Sequence, residues 1–354
     1  MIKRLISLRE HWWLQMGSVL VMLYLFIKYL DRIINRFSSI YVDPDQVLMM
    51  FAAQEFSKGR FHMPRFFGQN YGSMLESIIA VPLSFLSYES ALSISTCLLW
   101  LLPFALMLRM FGSSLKTAMV ILLWLLIMPV EYAFLGTMPR DFVSGIAVTS
   151  LAFIIFKKEK NWALFLIGFI CLTGWSFNAN AALLGGVITI FKIASKKDNW
   201  LKTSMLIGAG YGVGFIAHLT LQFYLSLHPE WIVHEAWPTS FDLNLISVAL
   251  SKLDVMWAAL TPFIYKKAWI YVVLFAGIIT WSIIKNNKPV LWAALTLIFL
   301  LVASFAMPKV HDGYLSIFSP YERMFLALPV VVLFLILHLN LHKKWPVMIL
   351  LLIG

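Results

Sequence analysis

The stretch 90–108, SALSISTCLLWLLPFALML, contains no acidic or basic side chain and ends at Arg109. A helix needs about 20 consecutive apolar residues to cross the roughly 30 Å hydrocarbon core of a bilayer, and this run supplies them. Working outward from it, further apolar segments fall at 12–30, 73–87, 117–135, 141–156, 162–177, 181–195, 203–225, 246–264, 268–284, 289–306, 324–340 and 346 to the end. Several are shorter than a full crossing, which suits tilted pairs or helices lying on the membrane surface. No internal repeat or low-complexity tract interrupts the series. The expected fold is an all-α polytopic membrane protein, with 1–354 as one transmembrane domain.

Composition leads to the same expectation. Apolar residues make up 61% of the chain and charged residues 13%, with a mean hydropathy of +0.83. A soluble domain has about 45–50% apolar and about 25% charged residues, so water is not the solvent these proportions fit. The net charge of +11 would suit nucleic acid if the basic residues formed one patch. They lie instead in short clusters between apolar segments, as the positive-inside bias of membrane proteins requires, and no nucleic-acid partner is expected. Cys97 and Cys171 both lie inside apolar runs and have neither metal-ligand nor disulfide-framework spacing. The run from Trp12 to Leu30 is long and lacks a small-residue cleavage site, so it reads as a retained first span.

Orientation follows from lysine and arginine. Lys3, Arg4 and Arg9 place the N-terminus in the cytoplasm, together with the clusters Lys157–Lys160, Lys196–Lys202, Lys285–Lys288 and His342–Lys344. The segments 31–72, Gly136–Asp141, Asn178–Asn180, Ser226–Asn244 and Met307–Arg323 and the extreme C-terminus then face the other side. If every apolar segment crossed, Arg109–Lys116 would fall on the wrong side. One early segment must fail to cross, and 73–87, short and carrying Glu76, is the candidate. The two long outer loops, 31–72 and 226–245, are expected to carry the site. Within the first, Val47–Phe56 has the pattern of a helix lying on the membrane surface.

The first outer loop opens with Tyr41-Val42-Asp43-Pro44-Asp45-Gln46. Pro44 bars simple helix continuation, so two carboxylates are held near the membrane surface. Such an acid serves as general base towards an acceptor hydroxyl, as a hard-oxygen ligand to Mg²⁺ or Mn²⁺, or as the cap of the following helix. Downstream stand Arg60, His62 and Arg65, and late in the chain Lys309, His311, Tyr321 and Arg323. Guanidinium groups suit a phosphate, although any of these also suits lipid head groups. Arg140 and Asp141 sit between two apolar segments, as cavity lining or as a mutual pair. Asn178 and Asn180 read as helix caps. His228, Glu230, His234 and Glu235 cluster without a metal-binding motif.

Phe67-Gly68-Gln69-Asn70-Tyr71-Gly72-Ser73-Met74-Leu75-Glu76, entering an apolar segment with Pro82, follows the acidic opening of this loop. Together they resemble bacterial GT-C glycosyltransferases, in the branch of the protein O-mannosyltransferases and aminoarabinose transferases. Pro44-Asp45-Gln46 is similar to that branch's Pro-Asp-Glu, with Gln46 where Glu is commoner. The resemblance is concentrated over 41–90. It implies a bundle of about 10–12 transmembrane helices with juxtamembrane helices in the first outer loop. It further implies an inverting enzyme that moves a sugar from a polyprenyl-phosphate carrier to a glycan, lipid or protein, on the non-cytoplasmic face of a bacterial plasma membrane. Asp45 would be the catalytic base, with Asp43 as its helper or as a cation ligand beside it. Glu76, Tyr71, Arg140, Asp141 and the basic residues above would bind substrate. A transporter or flippase of lipid-linked saccharide and an O-antigen ligase-like or polymerase-like enzyme are the other classes that fit. The last apolar segment stops at Gly354 without a polar tail, which leads one to expect a further C-terminal part with a role in acceptor choice.

Overall fold

The computed structural model of the protein describes residues 2–35, 42–112, 114–128, 130–196, 198–234, 240–251, 268–311 and 323–339. Tyr41, Glu235, Trp237, Trp257, Asp312, Tyr321, Glu322, His342–Lys344, Trp345 and the segment from 346 onward lie outside them, as does most of 246–264. The described chain is mostly helical, and its strands amount to one short pair.

The outer loop after α1 (Ile2–Ile33) folds into α2 (Pro44–Ser57) through a reciprocal cap. Asp43 Oδ1 accepts the Gln46 amide at 3.0 Å, and Gln46 Oε1 accepts the Asp43 amide at 3.1 Å. Two donors that a helix start would leave orphaned are thereby satisfied, and Pro44 occupies the first helical position, where its missing N–H does no harm. Gln46, Met49, Ala53 and Phe56 recur at helical spacing and form the buried face. That face packs with Phe66, Phe67 and Met74 in a small core of its own.

The apolar run 73–87 does not become a span. It forms α3 (Leu75–Ala80) and a 3₁₀ turn, Val81–Leu83, at Pro82. Six residues rise only about 9 Å, so the segment packs beside α2 without traversing the bundle. Ser87 then caps α4 (Tyr88–Phe111), accepting the Ser90 amide at 3.2 Å.

The remaining helices are α5 (Leu115–Ile127), α6 (Val130–Leu135), α7 (Ser144–Ser150), α8 (Ala152–Ile155), α9 (Asn161–Phe177), α10 (Ala182–Ala194) and α11 (Trp200–Ser226). After these come α12 (Asn244–Ser251), α13 (Ala268–Ile284), α14 (Lys288–Ser304) and α15 (Leu328–His338). Residues Leu328–Leu337 of α15 are buried on every side, which makes it a central helix. Helices α7, α9 and α11 approach closely through glycine. A Cβ on Gly145 would lie 2.6 Å from the Gly174 carbonyl oxygen, and one on Gly168 or Gly210 would collide with the Ile207 or Phe165 carbonyl. Among the described residues, α4 and α11 are long and apolar enough to cross a membrane.

The bundle has two chemically different ends. At one, Lys196 pairs with Glu159, Lys192 Nζ donates to the Phe156 carbonyl at 2.5 Å, and Asn287 Nδ2 donates to the His338 carbonyl at 3.4 Å. These contacts gather the loops after α8 and α10 and before α14. Helix α9 leads away from that end, and its 17 residues carry the chain about 25 Å to the other. There β1 (Gly68–Gln69) pairs in parallel with β2 (Ile232–His234), joining the first outer loop to the segment after α11.

Candidate functional site

A cavity of about 480 Å³ opens at this second end. Among the described residues it is lined by the α2 start, 66–72, the α6–α7 loop, the α9–α10 connection, His218 and Gln222 of α11, and Met307, Lys309, Arg323 and Met324. The volume falls within the roughly 300–1,000 Å³ usual for small-molecule sites.

Asp45 lies in the first turn of α2, half-buried against the cavity. Its carboxylate makes no hydrogen bond or ion pair within the described residues. Burial, and then the neighbouring charge of Asp43, raise its pKa above the usual 3.8, while Arg140, Arg323 and His234 pull it down. An acid so placed holds a proton acceptor ready beside cations. Asp43 differs. Its Oδ1 caps α2, and its Oδ2 forms an ion pair with the buried Arg140 guanidinium. Asp43 therefore positions Arg140 and the α2 start.

Both Asp43 oxygens are thus engaged. Among the described residues, no three His, Cys, Asp or Glu side chains converge.

Arg140, Arg323 and Lys309 supply the positive side of the cavity. The Arg323 guanidinium lies over the Phe142 ring, 4.6 Å from its centroid. Asn180 Nδ2 donates to the Phe142 carbonyl at 2.6 Å and to the Arg323 carbonyl at 3.3 Å, tying the late segment to the α6–α7 loop. Asn178 caps the turn Ala179–Ala181, accepting the Asn180 amide at 3.2 Å, as the sequence suggested. Its Nδ2 also donates to the Asp141 carbonyl at 3.1 Å.

Asp141 is held in left-handed backbone, φ +68°, a conformation that costs a non-glycine residue about 1–2 kcal/mol. Its Oδ1 accepts from Ser73 Oγ at 2.5 Å, and its Oδ2 is buried without a hydrogen bond. Burial pushes its pKa up to about 7. Arg140 and Asp141 are not a mutual pair: Arg140 goes to Asp43 and Asp141 to Ser73. Tyr71 completes this side of the cavity, beside Asp45 and Arg323.

Several expected ligands stand elsewhere. Arg60 and His62, with Lys58, surround Glu55 on the outer surface of α2, because that carboxylate is their nearest counter-charge. Arg65 is buried behind the cavity wall. Its Nη2 donates to Ser176 Oγ at 2.8 Å and to His218 Nδ1 at 3.2 Å. Its Nη1 donates to the Gly72 carbonyl at 3.3 Å and to the Ser176 carbonyl. Arg65 thus clamps the loop to α9 and α11 through its two Nη groups. Glu76 is fully buried under the Asp141 loop and accepts from Thr96 Oγ1 at 2.9 Å, so it supports the site from below. His311 Nε2 bonds the Phe305 carbonyl at 2.7 Å. His228 pairs with Glu230 at 3.2 Å and stacks on Trp231. Tyr321 lies outside the described residues.

Sequence reasoning missed His218 and Gln222, which line the cavity from α11. The available signal was two polar side chains four residues apart, on one helix face, inside the otherwise apolar run 203–225. No protein-family model matches the chain, and neither a curated protein nor a solved structure is similar to it.

Proposed function

We propose that the protein is a polytopic membrane enzyme that transfers a sugar from a polyprenyl-phosphate carrier at the end of the bundle facing away from the cytoplasm. The membrane part rests on surface chemistry. Ile216, Phe223 and Phe299 are 64%, 66% and 68% exposed on helices whose sequence is almost wholly apolar, and water does not tolerate such faces on a large scale. It rests also on the two ends. The lysine clusters gather at one, and the cavity lies about 25 Å away at the other.

The catalytic part rests on one observation: an unengaged carboxylate, Asp45, shares a cavity with Arg140, Arg323 and Lys309. In the proposed reaction an acceptor oxygen attacks the anomeric carbon while the bond from that carbon to the phosphate oxygen breaks. The acceptor's proton goes to Asp45, and the bonding pair leaves with the lipid phosphate. An oxocarbenium-like transition state then has a base on one side and cations on the departing charge on the other. A second, mainly apolar cavity of about 300 Å³, bounded by Cys171, Gly185 and Tyr211, shares Trp175 with the first and offers room for a hydrocarbon chain.

Labelled polyprenyl-phosphate sugar supplied to the purified protein should release lipid phosphate. Asp45→Asn should abolish that release while leaving expression and carrier binding in place; near-normal turnover by this variant would show that the base is another group. Absence of turnover with every carrier, alongside movement of lipid-linked saccharide across vesicles, would point to a transporter.

A further inference from the structure

The α11 wall of the cavity carries hydrogen-bonding groups whose direction is fixed by chemistry. Arg65 has only donors, so His218 Nδ1, 3.2 Å from Arg65 Nη2, can only accept. Ser176 Oγ already accepts from Arg65 at 2.8 Å, and its own proton points to the same Nδ1 at 2.8 Å. The ring proton of the neutral imidazole therefore sits on Nε2, and His218 meets a ligand as a donor. Gln222, one turn further along α11, donates its Nε2 to the Asn70 carbonyl at 2.9 Å. A carbonyl cannot donate, so Nε2 is the end of the Gln222 amide turned to Asn70, and Oε1 and the second Nε2 proton are left for a ligand. Within the described residues neither His218 Nε2 nor Gln222 Oε1 has a protein partner. Trp175 lies against His218, with ring centroids 5.2 Å apart, and lines the cavity with it.

We infer that His218 and Gln222 form a hydroxyl-reading subsite, with His218 donating to one oxygen of a polyhydroxylated ring and Gln222 accepting a proton from a neighbouring one, beside the apolar face of Trp175. A phosphate offers only acceptors and would meet Gln222 Oε1 as a repulsive neighbour; a vicinal diol satisfies both groups. The subsite thus takes the sugar, whereas Arg140, Arg323 and Lys309 take the anion. This assignment rests on the transferase reading and gives the donor sugar a definite place within it.

The test compares binding of a short polyprenyl phosphate with that of its hexosyl phosphodiesters, whose sugar is uncharged, for the wild-type protein, His218→Phe and Gln222→Met. Each variant should lose about tenfold in affinity for a hexosyl ester, the value of one or two hydrogen bonds, and under about twofold for the bare phosphate. His218→Phe also removes a partner of Arg65 and Gln222→Met removes the bond to Asn70, so the loss is read as the ratio between the two ligands in each variant, which a folding defect would leave unchanged. Equal losses for both ligands, or no loss for either, overturn the subsite. A wild-type protein that turns over the hexosyl esters but binds them no better than bare phosphate overturns it too, with the transferase reading left standing. If the wild-type protein binds neither ligand, the transferase reading falls and takes the subsite with it.

Discussion

Asp45 is held between opposing influences, and in the proposed transfer their balance sets the pH dependence of the rate. Burial and Asp43 raise its pKa, while Arg140 and Arg323 lower it. A general base acts in its charged form, so the rate should fall as pH drops through a pKa above the ordinary 3.8. Arg140→Met removes one lowering influence. The acid limb of kcat/KM against pH should then move to higher pH, and a limb that stays put or moves lower would separate Asp45 from the titration. Asp43 and Asp45 were legible as a pair because a proline between two acids declares a helix start. Which of them caps and which stays free depends on Arg140, 97 positions beyond Asp43. Arg65 misled for a similar reason. A basic residue in an outer loop looks like a phosphate ligand until Ser176 and His218, 111 and 153 residues away, are seen to absorb its donors.

At the scale of elements, the turn at Gly72 couples the first outer loop to the α6–α7 loop. Its φ is +74°, and an added Cβ would lie 3.0 Å from Asp141 Oδ2 and 3.1 Å from Phe66 Cβ. Gly72→Ala combines left-handed strain of about 1 kcal/mol with a push on an already strained Asp141. The expected result is a modest fall in thermal stability and a larger fall in turnover; unchanged turnover would mean that Asp141 does not shape the cavity. The α2 helix was readable over 47–56 from its amphipathic pattern and from an acid placed to cap it. Segment 73–87 shows the opposite limit. Charge parity required that one early segment fail to cross, and the shortness of 73–87 and its Glu76 singled it out. The break at Pro82 and the contact of α3 with α2 gave no periodic signal.

The whole bundle depends on glycine contacts that sequence alone cannot rank. Gly168 and Gly210 bring the α9 and α11 backbones together, whereas Gly208 and Gly212 have open space at the position of a Cβ. Gly168→Val should therefore lower the yield of monodisperse protein in detergent sharply, and Gly208→Ala should leave it unchanged. Equal behaviour of the two would place the close approach elsewhere. Gly208, Gly210 and Gly212 of α11 look alike in their run, since what distinguishes them is which side of α11 meets α9. The helical class and the one-sided gathering of polar loops were, by contrast, visible in apolar length and lysine placement.

The first outer loop is fastened to the bundle by the Gly68–Ile232 pairing, by the Arg65 clamp and by the Gln222–Asn70 bond. Among the described residues, three anchors on α9, α11 and the strand after α11 tie the stretch 65–72 into the bundle. A change that loosens α11 from α9 is therefore expected to unseat the Asp45 side of the chamber as well.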